Sequence, residues 1–184
     1  MIFDTLKYIG KIFNDNNINW AVGASILLKK YDLITRPNDI DILVDIKDIE
    51  TIDLILKSIG EKRKSEKIEI YSTEYFYEYV VNGIDIDIMA GFTINHENGK
   101  YRYIFDNKSI SSIEIIDGIK IPFTALEDWY VIYQLIKGRE NKVGLIEKYL
   151  KLNGIKRVDL LNRALKEQLP LSVINNIMNI IEIS

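Results

Sequence analysis

Two apolar stretches of the chain carry aspartates at alternate positions, and each stretch has the pattern of a β-strand. The first contains Asp39 and Asp41 in NDIDILVD, and the second contains Asp85 and Asp87 in GIDIDIM. Residues two apart in a strand project to the same side, so the carboxylates of each pair share one face. Like charges repel, and burying them is costly. Each pair must therefore meet either water, at an exposed strand end, or a cation.

The pattern along the chain predicts an α+β fold. Strand-like runs cover 18–22, 39–45, 67–72, 74–81, 83–92, 101–105 and 111–123, and helical periodicity covers 2–16, 24–31 and 49–60. Asp117-Gly118 predicts a hairpin turn inside the last strand-like run. We therefore expect a mixed α/β core over residues 1–120.

Helices are expected to fill the C-terminal region, residues 121–184, and to pack on the core. Thr124 and Glu127 have the spacing of a capping box, which predicts a helix over 124–137 with Thr124 as its N-cap. Further helical patterns cover 141–152, 156–167 and 171–183.

Composition limits the chemistry that is open to the chain. It has 184 residues, no cysteine and one histidine, which excludes thiolate zinc sites and argues against a Ser-His-Asp triad. Carboxylates and backbone oxygens remain as metal ligands, and they favour Mg²⁺ or Mn²⁺. The net charge of −3 argues against non-specific binding of long nucleic acid. The sequence contains no basic-apolar leader and no apolar run of membrane-spanning length, so we expect a cytoplasmic protein with no membrane partner.

A glycine turn precedes the first acidic pair. Gly23-Ala24-Ser25 lies where a predicted strand passes into a predicted helix. Backbone N–H groups at a helix start can hold phosphate, Gly23 permits close approach, and Ser25 can add a hydroxyl. Taken singly, the glycine is explained by turn geometry and each acidic pair by solvation. Their occurrence together in one small domain favours a shared cation site.

Such a site suits transfer of a nucleotide from a nucleoside triphosphate. Asp39 and Asp41 would hold Mg²⁺ against the phosphates, and a third carboxylate would complete a two-metal site and help deprotonate the attacking hydroxyl. The hydroxyl would attack the α-phosphate in line, with pyrophosphate as the leaving group. Positioning and charge neutralisation would supply most of the catalysis.

The motifs VGAS, TRPNDIDILV and DIDIM resemble those of the nucleotidyltransferase superfamily, which includes lincosamide, aminoglycoside and minimal nucleotidyltransferases. The resemblance implies a nucleotidyltransferase-like mixed sheet with flanking helices. It implies catalysis and metal binding by Asp39, Asp41 and Asp87, with Asp85 as the alternative third carboxylate. It also implies a set of nucleotide-binding residues: Gly23, Ala24, Ser25, Arg36, Lys137 and Arg139.

The resemblance extends to LEDWYVIYQLIKGRENK, where similar proteins have a helix start followed by basic residues. Lys137, Arg139 and Lys142 would then reach the triphosphate or the acceptor. The alternative is that they complement the negative end of a helix. Three features depart from the superfamily pattern. Ala24 replaces a Gly or Ser of the turn, and Tyr133 stands where relatives often have Lys. The acidic residue that often follows the basic cluster is absent, leaving Asn141 and Val143.

Three other features have simpler explanations. His96 lies in the polar stretch NHENGK and is expected in an exposed loop. Alternation in EYFYEYV predicts that Tyr75, Tyr77 and Tyr79 face one side and Phe76 the other, for packing or, alternatively, for stacking on an adenine or an acceptor ring. The charged run EKRKSEK, 61–67, is expected to be a solvated loop.

The sequence therefore supports three hypotheses. The first is a Mg²⁺- or Mn²⁺-dependent nucleotidyltransferase that moves NMP from an NTP to a hydroxyl of a small molecule, a protein or an RNA such as tRNA. The second, motivated by Ala24 and the missing lysine, is a catalytically inactive binding module of the same fold, of antitoxin or regulatory type. The third is a plain α/β scaffold that binds no nucleotide.

Overall fold

The computed structural model describes residues 1–64 and 70–183. The helices in this part of the chain are α1 (Ile2–Asp15), α2 (Ala24–Lys30), α3 (Ile49–Ile59), α4 (Leu126–Gln134), α5 (Glu140–Asn153), α6 (Val158–Ala164) and α7 (Leu171–Ile183). The strands are β1 (Trp20–Val22), β2 (Ile40–Val44), β3 (Glu61–Lys62), β4 (Tyr75–Val81), β5 (Ile84–Ala90), β6 (Thr93–His96), β7 (Gly99–Arg102), β8 (Ser112–Ile116) and β9 (Ile119–Phe123).

Seven of these strands form one mixed sheet in the order β3-β4-β5-β2-β1-β9-β8, and β6 and β7 form a separate hairpin. β2 lies at the centre, parallel to β5 on one side and antiparallel to β1 on the other. Parallel neighbours need a long crossover, which α3 and the β3–β4 segment supply between β2 and β5. The predicted α+β fold, a mixed sheet with flanking helices, is confirmed.

The first helix shows why hydrophobic period predicts local structure here. Leu6, Ile9 and Phe13 recur on one face of α1, and all three are fully buried. The helix contacts β9, so this face covers the sheet next to its edge strand β8. A helix of this length draws most of its stability from such burial and little from intrinsic propensity.

Two tight turns set the register of the hairpins. Asp117 and Gly118 both have positive φ, 49° and 81°, which is the conformation of a type I′ turn, and the predicted hairpin joins β8 to β9. Asn82 and Gly83 have the same signs, 52° and 74°, and join β4 to β5. The second turn matters for the site described below, because it sets which residue of β4 lies beside each aspartate of β5.

The predicted capping box at the start of α4 was wrong. The cap position is Ala125, which makes no side-chain cap hydrogen bond. The Thr124 hydroxyl instead donates to the Val22 backbone oxygen at 3.2 Å and accepts from the Trp129 indole N–H at 2.8 Å. Thr124 therefore links α4 to β1. Because its hydroxyl takes part in these tertiary bonds, it does not cap the helix.

Two buried acids on α4 bond to neighbouring segments of the chain. Glu127 accepts the backbone N–H groups of Lys156 and Arg157, each at 2.9 Å, at the entry to α6. Asp128 accepts the Tyr103 hydroxyl at 2.8 Å. These bonds satisfy carboxylates that are almost fully buried, which explains how an apolar helix tolerates adjacent acids.

Three loop and strand predictions need correction. His96 is the last residue of β6 and is partly buried, with Nε2 3.1 Å from the Gln168 backbone oxygen, so its exposed-loop prediction was wrong. Residues 61–62 form β3 in the stretch predicted as a loop, and 65–67 of that stretch lie outside the described residues. Of the predicted strand 67–72, residues 67–69 lie outside them as well, and Tyr71 makes only an isolated bridge with Ile94.

No helix of the described residues is both long enough and apolar enough to cross a bilayer.

Candidate active site

Carboxylates of the two acidic strand pairs meet at the centre of the sheet. Asp41 of β2 is the direct partner of Asp87 of β5, so both side chains leave the same face. Carboxylate oxygens of Asp39, Asp41 and Asp87 all lie within 4.8 Å of one another, and the three side chains are partly buried. We call these three residues the acidic cluster. The structure brings together the residues that the sequence named as metal ligands.

The carboxylates of the acidic cluster repel one another. Burial, followed by the charges of Asp39 and Asp87, raises the pKa of Asp41 well above its usual value. Burial and the Asp39 charge likewise raise the pKa of Asp87 to about 7. Carboxylates this close do not all ionise freely at neutral pH. Several oxygen donors around one point fit a hard divalent cation, so the acidic cluster could hold Mg²⁺ or Mn²⁺.

Asp85, the alternative third carboxylate, lies apart from the acidic cluster. It is on the same face of β5, two residues from Asp87, but its side chain is 54% exposed and forms an ion pair with Arg63 at 2.8 Å. Water and an arginine already neutralise this carboxylate. The geometry therefore favours Asp87 over Asp85 as the third ligand.

Glu78 is a fourth carboxylate that the sequence analysis did not single out. It is the β4 partner of Asp87, and its charge contributes to the raised pKa of Asp87. The alternation in EYFYEYV placed Glu78 on the face opposite the tyrosines, which was a usable signal. The sequence did not reveal that this face of β4 would lie beside the acidic cluster.

The glycine turn is shaped by close packing against α4. A Cβ atom on Gly23 would lie 2.4 Å from Cζ2 of Trp129, so only glycine fits without displacing the indole. The Gly23 N–H donates to the Asp41 backbone oxygen at 3.0 Å, which fixes the turn against β2. Ala24 follows with a φ of 43°, an uncommon conformation for a residue with a side chain. Its place at the cavity wall makes this strain a feature of the site.

Ser25 holds one member of the acidic cluster in position. Its hydroxyl donates to Oδ1 of Asp39 at 3.1 Å and lies 3.2 Å from the Asp39 backbone oxygen. Asp39 immediately precedes β2, where the strand ladder does not restrain it. Ser25 therefore orients this carboxylate, in addition to the phosphate contact that remains a prediction.

Two basic residues line the same cavity as the acidic cluster. Arg139 is the residue before α5, and Lys142 lies in its first turn, so both stand at the positive end of the helix. The alternative explanation, cations that complement a helix C-terminus, is therefore wrong for these two. Burial and the Arg139 charge lower the pKa of Lys142, as expected of cations gathered at one place. Arg36 and Lys137 are exposed and do not line the cavity.

A cavity of about 280 Å³ lies between these groups. Its charged lining consists of the acidic cluster, Glu78, Arg139 and Lys142. The remaining walls are largely aromatic or aliphatic: Ala24, Tyr71, Phe76, Met89, Phe92, Trp129, Tyr133 and Ile136. Such a cavity suits a ligand with anionic groups, metal-binding oxygens and a flat apolar part.

Comparison with known proteins identifies the fold. Neither a protein-family model nor a curated protein matches the sequence. Among solved structures, a candidate nucleotidyltransferase from Thermotoga maritima is similar, with 24% identity, a TM-score of 0.61, and coverage of 82% of this chain and 93% of that one.

Two antibiotic-modifying proteins have the same architecture. The lincosamide antibiotic adenylyltransferase LnuA, with lincomycin bound, is 17% identical, with a TM-score of 0.53 and coverage of 78% of this chain and 95% of that one. The antibiotic-resistance factor ANT(2'')-Ia in solution is 13% identical, with a TM-score of 0.57 and coverage of 90% and 93%. At these identities the likeness concerns the fold alone. The chain has the nucleotidyltransferase fold, as its three motifs predicted.

Proposed function

We propose that the chain is a divalent-metal-dependent nucleotidyltransferase that moves an NMP group from an NTP to an acceptor hydroxyl. The observation that carries this proposal is the acidic cluster, formed by two separate strands at the centre of a nucleotidyltransferase fold. Arg139 and Lys142, at the start of α5, line the same cavity. Acidic and basic groups around one cavity suit a metal-bound polyphosphate.

Asp39, Asp41 and Asp87 are the residues that would hold Mg²⁺ or Mn²⁺. Their oxygens lie within 4.8 Å of one another, and the raised pKa values of Asp41 and Asp87 reflect a repulsion that a cation relieves. When bound, such a cation neutralises phosphate charge and polarises the phosphorus that is attacked. Ser25 keeps the Asp39 carboxylate oriented toward this point.

The phosphates are held by the start of α5 and by the glycine turn. Arg139 and Lys142 supply full charges, and the N-terminus of α5 adds a partial charge of the same sign. Gly23 lets the backbone approach a phosphate closely, and Ala24 lies at the cavity wall. Arg36 and Lys137 would contact only the part of a nucleotide that extends beyond the cavity.

In the reaction, the acceptor hydroxyl oxygen attacks the α-phosphorus and forms a new P–O bond. The bond from that phosphorus to the bridging oxygen of the β-phosphate breaks, and pyrophosphate leaves. The hydroxyl proton passes to the Asp87 carboxylate, which lies within the acidic cluster beside Asp39 and Asp41. Asp87 therefore acts as general base as well as ligand.

The chemistry of the site is compatible with several classes of hydroxyl acceptor. One neighbour was solved with lincomycin and another with adenylyl-2''-tobramycin, both small molecules. A cavity of about 280 Å³ that opens to solvent admits a hydroxyl presented by a small molecule, a protein side chain or an RNA end. We propose a hydroxyl acceptor and leave these three classes to the assay.

Labelled ATP, GTP, CTP and UTP, offered with Mg²⁺ or Mn²⁺ and a panel of hydroxyl acceptors, test the proposal. We expect transfer by the wild type and a loss of at least about 100-fold in Asp39→Asn and Asp41→Asn, because each loses a charged ligand. Asp85→Asn is the matched control on β5 and should retain transfer. Undiminished transfer by the two Asn variants of the acidic cluster would refute the mechanism.

Calorimetric titration of NTP distinguishes the enzyme from an inactive module of the same fold. Nucleotide binding that requires Mg²⁺, together with transfer, supports the enzyme. Metal-dependent binding without transfer to any acceptor of the panel supports the binding module, and absence of binding supports a plain scaffold.

A further inference from the structure

A buried tyrosine hydroxyl at the cavity has no hydrogen-bond partner. Tyr133 lies near the end of α4 and is 3% exposed, and its oxygen is the one buried side-chain polar atom of the described residues that lacks a partner. Two other buried tyrosines do find partners: Tyr103 donates to Asp128 at 2.8 Å, and Tyr79 donates to Asp53. A buried polar group is normally satisfied, so this hydroxyl is available to bond to a molecule that enters the cavity.

The surroundings of Tyr133 define what this ligand must offer. Tyr133 lines the same cavity as the acidic cluster, and the Lys142 ammonium lies 5.0 Å from the centre of its ring. Burial and the charge of Asp41 raise the pKa of the phenol, so the hydroxyl keeps its proton and acts as a donor. The ring itself is held against Trp129, with centroids 5.2 Å apart. The ligand must therefore place an acceptor oxygen near Tyr133.

We propose that the Tyr133 hydroxyl donates a hydrogen bond to a phosphate oxygen of a nucleoside triphosphate, which makes Tyr133 a nucleotide-binding residue of this site. The inference rests on the proposed function and adds Tyr133 to the residues that bind the nucleotide. The carboxylates of the acidic cluster are committed to a cation in that function, so they do not satisfy the phenol. A phosphate oxygen satisfies it and is also matched by Arg139 and Lys142, whereas a base or a ribose would leave these cations without a counter-charge.

Tyr133→Phe is the test, because it removes the hydroxyl and keeps the ring. Calorimetry measures binding of the non-hydrolysable α,β-methylene analogues of ATP, GTP, CTP and UTP, and of the four monophosphates, all with Mg²⁺. For each analogue that the wild type binds, we expect the Kd of Tyr133→Phe to rise about tenfold or more, the loss typical of one hydrogen bond to a charged group. A monophosphate carries only the α-phosphate, so an equal rise in the Kd of the monophosphates assigns the bond to an α-phosphate oxygen, and an unchanged Kd assigns it to the β- or γ-phosphate.

Tyr130→Phe is the matched control. Tyr130 is a buried tyrosine of the same helix, and its hydroxyl lies 3.5 Å from the Asn176 backbone oxygen, away from the cavity. It should bind the triphosphate analogues as the wild type does. An equal loss in both variants would overturn the inference, since it would indicate a general effect on α4.

Thermal stability without nucleotide gives a second readout. Removing an unsatisfied buried hydroxyl should raise the Tm of Tyr133→Phe by about 2–4 °C, whereas a structural hydroxyl would lower it. A lowered Tm, or triphosphate binding equal to the wild type, overturns the role of Tyr133 alone. Failure of the wild type to bind any triphosphate analogue overturns the proposed function together with this inference.

Discussion

Replacement of Asp87 by asparagine should stabilise the protein at the same time as it abolishes transfer. The carboxylate of Asp87 lies beside those of Asp39 and Asp41, and all three are partly buried. Asparagine has nearly the same shape and carries no charge, so Asp87→Asn removes the repulsion without opening a cavity. The substitution also relieves Asp41, whose pKa is raised in part by the Asp87 charge.

The size of the effect follows from the pKa of Asp87, which the fold raises from 3.8 to about 7. Between pH 3.8 and about pH 7, Asp87 is protonated in the folded protein and ionised in the unfolded chain. The free energy of unfolding of the wild type therefore falls as pH rises and reaches its lower level above about pH 7. Each pH unit in this window costs about 1.4 kcal/mol, about 4 kcal/mol in all. Solvent in the open cavity screens the charges, so we expect about 2 kcal/mol, which is about 4–8 °C in Tm.

Thermal melts of both proteins at about pH 4.5 and about pH 8, with chelator present, measure the effect. The variant should exceed the Tm of the wild type only slightly at the lower pH, close to the unfolded-state pKa of 3.8, and by the full amount at the higher pH. Adding Mg²⁺ at about pH 8 should raise the Tm of the wild type more than that of the variant, because the cation binds the intact acidic cluster.

Asp85→Asn is the control on the same strand, since it breaks an exposed ion pair worth about 0–1 kcal/mol. A variant Asp87→Asn that is less stable than the wild type at about pH 8 would refute the reasoning. A Tm difference that is the same at both pH values would refute it as well.

Two further predictions concern packing and buried polar groups. Gly23→Ala should destabilise the fold by about 1–3 kcal/mol in urea unfolding, because its Cβ would lie 2.4 Å from the Trp129 ring. Gly144 is a helix position with open space around it, so Gly144→Ala should stabilise the fold by about 1 kcal/mol. The reverse order of stability would contradict the packing argument. Tyr103→Phe should cost about 1–3 kcal/mol, more at about pH 8 than at about pH 5, because the pKa of buried Asp128 is about 7 and its ionised form loses the donor. The exposed Tyr8→Phe should be neutral at both pH values, and an equal loss in the two tyrosine variants would refute this account.

Much of the fold could be predicted from the sequence because it depends on local hydrophobic periodicity. The buried stripe of α1, the alternation in β2 and β5 and the Asp117-Gly118 turn all follow from the steric rules of single elements. The motifs around Asp39 and Asp41 also indicated the nucleotidyltransferase fold. Predictions failed where a side chain had both a local and a distant partner. Thr124 and Glu127 have the spacing of a cap, but they bond to β1 and to the entry of α6.

The sequence by itself determined that acidic pairs lie on one face of two apolar strands, and that a glycine turn precedes the first pair. Tertiary structure alone decided that Asp87 joins Asp39 and Asp41 while Asp85 stays outside, that Glu78 lies beside Asp87, and that the phenol of Tyr133 is left without a partner. The physical reason is that the direction of a side chain within a strand follows from its own backbone. Its neighbour across the sheet depends on strand order and register, which are set by the packing of the whole core.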